Sequence, residues 1–583
     1  MKKLLLTFSA IALSVATYAQ VIVAGVSPQS IVANYTHTWA DPGSAWGTPD
    51  FNVPGTYVQD TLMIVDDGST GLNAQGNPIS AEGCNPLIND LTGKIAVVFR
   101  NTCEFGAKAF NAQNAGAVGV IVVNRNPGEV ISMGPGVNGA NVTIPVVMID
   151  INDGLSLIAE MANGPVVMFL GNKTGLFPND GGISGGATLL PRQAMIPSLL
   201  AQNGTEFNFD LGSRVYNYGN QAQTGMSLNA KITNSSGASV YDNTATGINL
   251  AAGDSVDVFP GGTFSLPNFS LASYPAGTYT LTYTLLLSGT DDYNADNSLV
   301  STFTVTDSLF SYAQADAATG KPTGGNYYRP GTNNQTYSSC QVLDNANASR
   351  LKADGIWFSA TTSASSGVLL TGEEMALYLY KWEDVFTDLN DANLAFNTLT
   401  EVANGFYYYP DDLQGETVYG AFTTPVALLD NQRYLACVQT VNLNLYMGHE
   451  SSTNLTWNES YYLQPMAPNE SDGTWFAAGF GSDIPSSLAI AVSNNDVNVA
   501  ELNTGAGKAF PNPANDVVTV AIEGEGTAQL TVTDVAGKVA MSASLNLAAG
   551  QDNVNIASLT AGLYIFSVTL ENGKTAQFNV VKK

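Results

Sequence analysis

From Met226 onward, apolar residues return at every second position in one short run after another. Met226-Ser-Leu-Asn-Ala-Lys-Ile232 and Thr278-Tyr-Thr-Leu-Thr-Tyr-Thr-Leu-Leu-Leu287 are the clearest, with turn sequences such as Pro260-Gly-Gly262 and Pro275-Ala-Gly277 between them. A period of two sends alternate side chains to opposite faces of a strand, so each run buries one face and wets the other. Short strands at regular turn spacing predict a β-sandwich for 190–306. Residues 308–493 carry strand-like runs at 368–370, 376–380 and 434–438, and hold Trp357, Trp382, Trp457 and Trp475. A second sandwich or jelly roll is expected there.

Only the stretch from 20 to 171 alternates strand with helix. Residues 94–100 form a continuous apolar run, as a buried strand would. Phe105, Ala109, Ala112 and Gly116 then recur at three-to-four spacing, the mark of one apolar helical face. Residues 118–123 supply a second strand, and 144–149, a short helix from Gly154 and 166–170 repeat the theme. The motifs here are Glu82-Gly-Cys-Asn-Pro86, Thr92-Gly-Lys-Ile-Ala-Val-Val98, Cys103-x-Phe-x-x-Lys108, Asn111-Ala-Gln-Asn-Ala-Gly-Ala117 and Ile144-Pro-Val-Val-Met148. Together they resemble a protease-associated (PA) domain, in the version inserted in secreted metalloproteases. The resemblance implies a non-catalytic domain that binds peptide or partner segments, or restricts access to an attached enzyme. Phe105 and Lys108 are read as packing residues of the helix. More loosely, Asp254-Ser-Val and Asp291-Asp-Tyr-Asn-Ala-Asp-Asn297 make 190–306 similar to bacterial surface immunoglobulin-like modules.

The last 75 residues read as a compact strand set over 517–522, 528–533, 539–545, 563–570 and 576–581, with Asn572-Gly573 as a type I′ hairpin turn. Four motifs follow in order: Phe510-Pro-Asn-Pro-Ala514, Thr533-Asp-Val-Ala-Gly-Lys538, Leu559-x-Ala-Gly-Leu-Tyr564 and Val581-Lys-Lys583. They resemble the type A C-terminal sorting domain of the bacterial type IX secretion system. The resemblance assigns the sorting signal to Pro511, Asn512, Pro513, Asp534, Gly537, Lys538, Gly562, Leu563, Tyr564, Lys582 and Lys583. It implies the type IX machinery as partner, passage through the periplasm and outer membrane, and a product released or attached at the cell surface.

The expected order is therefore a signal peptide at 1–19, the PA domain at 20–171, a linker at 172–189, an immunoglobulin-like sandwich at 190–306, a sandwich or jelly roll at 308–493, a linker at 494–508 and the sorting domain at 509–583. The fold class is multidomain and mainly β, with one α/β domain. Lys2 and Lys3, the apolar stretch to Val15 and Thr17-Tyr-Ala19 are the marks of a secretory leader. No later apolar run is long enough to span a bilayer. An exported chain with four cysteines and no C-x-x-C spacing predicts disulfides, with Cys84 and Cys103 the favoured pair and Cys340 with Cys437 the remainder.

The formal charge of −28 argues against nucleic acid, whose phosphates demand basic side chains. Two histidines, His37 and His449, leave little for His-dependent catalysis. Gly182-Ile-Ser-Gly-Gly186 matches the nucleophile-elbow spacing but lacks a following helix and a His partner, so it reads as a flexible connection. Gly134-Pro-Gly-Val-Asn-Gly139 matches a dinucleotide fingerprint without opening a helix, and reads as a surface loop. Asp291, Asp292 and Asp296 are weak candidates for calcium, the only metal or cofactor suggested; a solvated turn is the commoner outcome for such a cluster. Tyr407, Tyr408, Tyr409, Trp457, Tyr461 and Tyr462 are candidates for a glycan-stacking platform, although such aromatics more often fill cores. No catalytic residue is assigned. The function expected is a non-catalytic exported protein that binds peptide, protein or glycan partners through the PA and sandwich domains. A secreted peptidase or glycosidase, or an accessory subunit of one, is the alternative.

Overall fold

The computed structural model describes residues 21–125, 130–331, 335–362, 367–450, 452–495, 507–522, 526–535, 537–570 and 575–583. They fall into two compact units that divide between Asn494 and Asn495. The expected leader at 1–19, most of the expected linker at 494–508 and the expected Asn572-Gly573 turn lie outside the described residues.

The first unit opens with seven strands: β1 (Val21–Ser27), β2 (His37–Trp39), β3 (Tyr57–Ile64), β4 (Ile95–Phe99), β5 (Gly119–Val123), β6 (Val146–Ile149) and β7 (Val167–Asn172). Their spatial order is β1-β7-β3-β4-β5-β6-β2, and β3 to β6 run parallel. Every residue of β4, β5 and β6 is buried, as strands covered on both faces require. On one face α1 (Phe105–Asn114) packs Ala109 and Ala112 against Ala96, Val98, Val120 and Val122. On the other, α2 (Ile151–Met161) sets Leu157 among Ile121, Val123 and Val147. This second helix starts before Gly154 because the Asp150 side chain accepts the Asn152 N–H and caps the first turn.

The expected linker at 172–189 is corrected by β8 (Gly181–Leu189), which pairs with Gly212–Asn217 as a strand of the first sandwich. Its glycines are there for space rather than flexibility. A Cβ on Gly182 would lie 2.4 Å from Asp296 Oδ2 and 2.6 Å from the Tyr218 ring, and one on Gly181 would lie 2.5 Å from Leu287. Opposite this three-stranded sheet stands a five-stranded one built on Gln223–Thr233, Ser239–Leu250, Gly277–Leu286, Ser298–Thr306 and Met195–Pro197. The second sandwich is built from two six-stranded sheets whose buried side chains, among them Ile356, Phe358, Leu377 and Val438, share one core. Residues 368–370, read as strand-like, form no strand. The two sandwiches share one apolar core. Their junction is closed by Asn458, in the short helix α3 (Thr456–Tyr462), whose amide accepts from Leu190 N at 2.9 Å and donates to Leu190 O at 2.8 Å.

The second unit has its own core, with Val518, Leu530, Val532, Phe566, Val568 and Val580 buried. Two strands were not legible in the sequence. Lys508–Phe510 and Gln551–Asn555 are short, and the second is polar at four of its five positions.

Candidate functional site

In a parallel sheet the loops leaving the carboxyl ends of the strands are the customary place for recognition. Here β3, β4 and β5 deliver three such loops, at 65–94, 100–104 and 124–145. The Cys84–Cys103 disulfide joins the first to the second. Glu104 joins the second to the third, its carboxylate accepting the Val137 N–H at 3.0 Å. Trp46 Nε1 donates to Met133 O at 2.8 Å and holds the third loop from its other side. Gly106 lets α1 pass beneath, since a Cβ there would lie 2.0 Å from Pro135 O.

Below the loops lies a polar brace. Lys108 is fully buried, and its ammonium donates to Glu82 O at 2.9 Å and lies 3.6 Å from Cys84 Sγ. Burial pushes this lysine down to about 8, with Glu82 and Asp67 pulling the other way. Glu82, also fully buried, accepts from Thr102 N and Asn73 Nδ2. Phe105 is partly buried under the Arg100 guanidinium. This chemistry fixes loop shape. The same loops expose Leu72 (66%), Ile88 (71%) and Val137 (81%).

The other expectations fare unevenly. Asp291, Asp292 and Asp296 form no ligand cage. Asp291 accepts from Gly181 N, Tyr293 N and Asn297 Nδ2, Asp292 accepts from Asn179 N, and Asp296 faces Lys173. Among the described residues no group of three or more His, Cys, Asp or Glu is placed to hold a metal ion. The aromatic platform is divided. Tyr407 and Tyr409 pack on Phe358, with Tyr409 in the core, and Tyr408 is exposed. Trp457 and Tyr461 instead line a shallow cleft of about 150 Å³ with Phe259 and Asp257. His37 is bonded through Nδ1 to Tyr35 O, and burial lowers it. His449 is buried between Tyr328 and Phe480, with its Nδ1 on Met447 O. Cys340 and Cys437 face each other across adjacent strands and are bonded.

In the second unit the motif residues build turns and an edge. Asn512 donates to Asn579 O and accepts from Val581 N, while Lys583 N donates to Ala514 O. Pro511 and Pro513 flank it in cis peptides. Asp534 closes its turn by accepting from Lys538 N, and Gly537 takes the positive φ of 79° that the turn needs. Gly562 and Leu563 open a strand that pairs with Lys582 and Val581, and Tyr564 donates to Thr560 O. Lys582 Nζ lies 3.8 Å from Asp516.

The PA domain family matches residues 53–157, and the family described as the secretion system C-terminal sorting domain matches 508–582. Residues 53–157 are a PA domain. The tail is a type IX sorting domain. Such a tail indicates export through the outer membrane to the cell surface or extracellular space, by way of the type IX machinery. No helix among the described residues is long and apolar enough to cross a membrane. Similar proteins include the minor extracellular protease Vpr of Bacillus subtilis (strain 168), 39% identical over 75 residues that make up 13% of this chain and 9% of Vpr. Aminopeptidase YwaD of the same organism is 35% identical over 122 residues, 19% of this chain and 27% of YwaD. The chain spans between 6% and 27% of the length of the curated relatives it matches. Among solved structures, the aminopeptidase from Aneurinibacillus sp. strain AM-1 is similar with a TM-score of 0.19 and 20% identity, over 26% of this chain and 30% of that one.

Proposed function

We propose that this exported protein is a non-catalytic binding protein whose PA loop edge receives peptide or protein partners. The leader at 1–19 would deliver it to the periplasm, and the domains 21–172, 181–306 and 308–494 would carry the loop edge at the surface. The observation that supports this reading most is the braced loop cluster. Three loops at the carboxyl ends of parallel strands are locked by a disulfide, Glu104 and a buried lysine, yet display Leu72, Ile88 and Val137 to solvent. Locked loops lose little entropy on binding, and exposed apolar side chains are what a partner can bury. A peptide array probed with the purified chain tests it. Val137→Asp, on a side chain outside the core, is expected to weaken the best ligands at least about tenfold, or about 1.4 kcal/mol. Undiminished binding by Val137→Asp and Leu72→Asp together would sink this placement of the site.

A second reading, a secreted peptidase or an accessory part of one, is favoured by two of the similar proteins being a protease and an aminopeptidase. Turnover of a protein substrate by the purified chain, abolished by a single point substitution, would establish it over the first.

A further inference from the structure

Where the PA domain meets the first sandwich, Lys173 follows β7 and Asp180 precedes β8, seven residues apart and both fully buried. The ammonium contacts Asp180 Oδ1 and lies 3.0 Å from Asp296 Oδ2 and 3.3 Å from Asp296 Oδ1. The Tyr218 and Tyr293 rings cover it, with centroids 4.7 and 4.4 Å from Nζ. Asp180 Oδ2 is buried without a hydrogen-bond partner among the described residues. A single cation thus faces two carboxyls in a dry aromatic box, with Asp291 close by. One carboxyl oxygen makes nothing of its burial, an expensive arrangement for a carboxylate.

We propose that Lys173 and Asp180 condense into a side-chain amide, with Asp296 as the proton carrier. In a desolvated pair the neutral amine and neutral acid compete with the ion pair, because the charges have lost their hydration. Burial raises Asp180 to about 7, which favours its neutral form, while Asp296, raised only to about 6, keeps a carboxylate free to accept a proton. The Nζ lone pair attacks Cγ of Asp180, and the proton shed by nitrogen passes to Asp296, already within hydrogen-bond reach. Asp296 returns that proton to Oδ2, which leaves as water. One C–N bond forms, one C–O bond breaks, and no oxidant or activated donor is needed. The product removes both buried charges and closes residues 174–179 into a covalent loop between the two domains.

Mass spectrometry of the purified full chain tests this. The intact mass is expected to be lower by one water beyond the hydrogens lost to the two disulfides. Trypsin should then fail to cut after Lys173. Chymotrypsin, cutting after Leu176, should leave the pieces bearing Lys173 and Asp180 joined. Asp296→Asn, isosteric but unable to take the proton, should restore the full mass and the tryptic cut while circular dichroism is unchanged. A wild-type chain of full mass overturns the proposal, whatever the variant does. So does a water loss whose chymotryptic pieces separate, since that marks a succinimide at an Asp-Gly pair, Asp180-Gly181 among them, and no cross-link. A cross-link that persists in Asp296→Asn overturns the role of Asp296.

Discussion

His449 shows how burial writes a pH dependence into one residue. Its ring lies between Tyr328 and Phe480, and burial lowers it from 6.5 to about 4. The unfolded chain therefore takes up a proton that the folded chain refuses. The folded-state value is depressed, so the stability it supports is complete above pH 6.5 and is lost as pH falls toward 4. The most that this one group can contribute is about 3 kcal/mol. Urea melts at pH 7 and pH 4 are expected to show a smaller drop for His449→Phe than for the wild type; equal drops would refute it. None of this is legible in the sequence, because the neighbours that enclose His449 arrive from 328 and 480. The surroundings of Lys108 and Lys173 hid for the same reason. Lys108 reads as a packing residue of its helix, but the Glu82 and Cys84 that roof its ammonium do not show in the sequence, and Lys173 read as linker until two tyrosines closed over it.

At the scale of the element, legibility followed periodicity. The parallel strands and α1 announced themselves through continuous apolar runs and a three-to-four repeat, and the sandwich strands through alternation. Strand β8 did neither, because its glycines answer to Asp296, Tyr218 and Leu287, which sequence proximity does not supply. That gives an expectation opposite to the flexible connection read from the same five residues. Ser184→Ala should leave stability and binding unchanged, since Ser184 serves β8 through its backbone carbonyl, which Thr188 Oγ1 bonds. Gly182→Ala should lower the unfolding free energy by roughly 1–3 kcal/mol, the usual cost of overpacking, because Asp296 and Tyr218 must give way. A thermal melt of the two variants distinguishes the readings. The candidate loops were likewise half legible. Their glycines and the Cys84–Cys103 pair stood in the sequence, but the Glu104 bond that gathers them did not.

For the whole molecule, two units with separate cores divide the labour. The tail carries the address, and deletion of 505–583 is expected to strand the protein in the periplasm. Fractionation with antibody to 21–494 would check this, and normal surface display of the truncated chain would refute it. A protein held at a cell surface also meets drag from flow and from whatever it grips. A pull between the PA loops and residue 494 would load the junction of the sandwiches, where the Leu190–Asn458 pair acts beside the Met195–Ser311 bridge and the Arg350–Glu206 ion pair. There a single side-chain amide makes both backbone bonds of one residue, as a neighbouring strand would. The two bonds stretch together rather than one after the other. Forced opening is governed by the barrier to breaking what is loaded at once. The joint should therefore behave as a latch in shear, holding the sandwiches in line until their common core gives way.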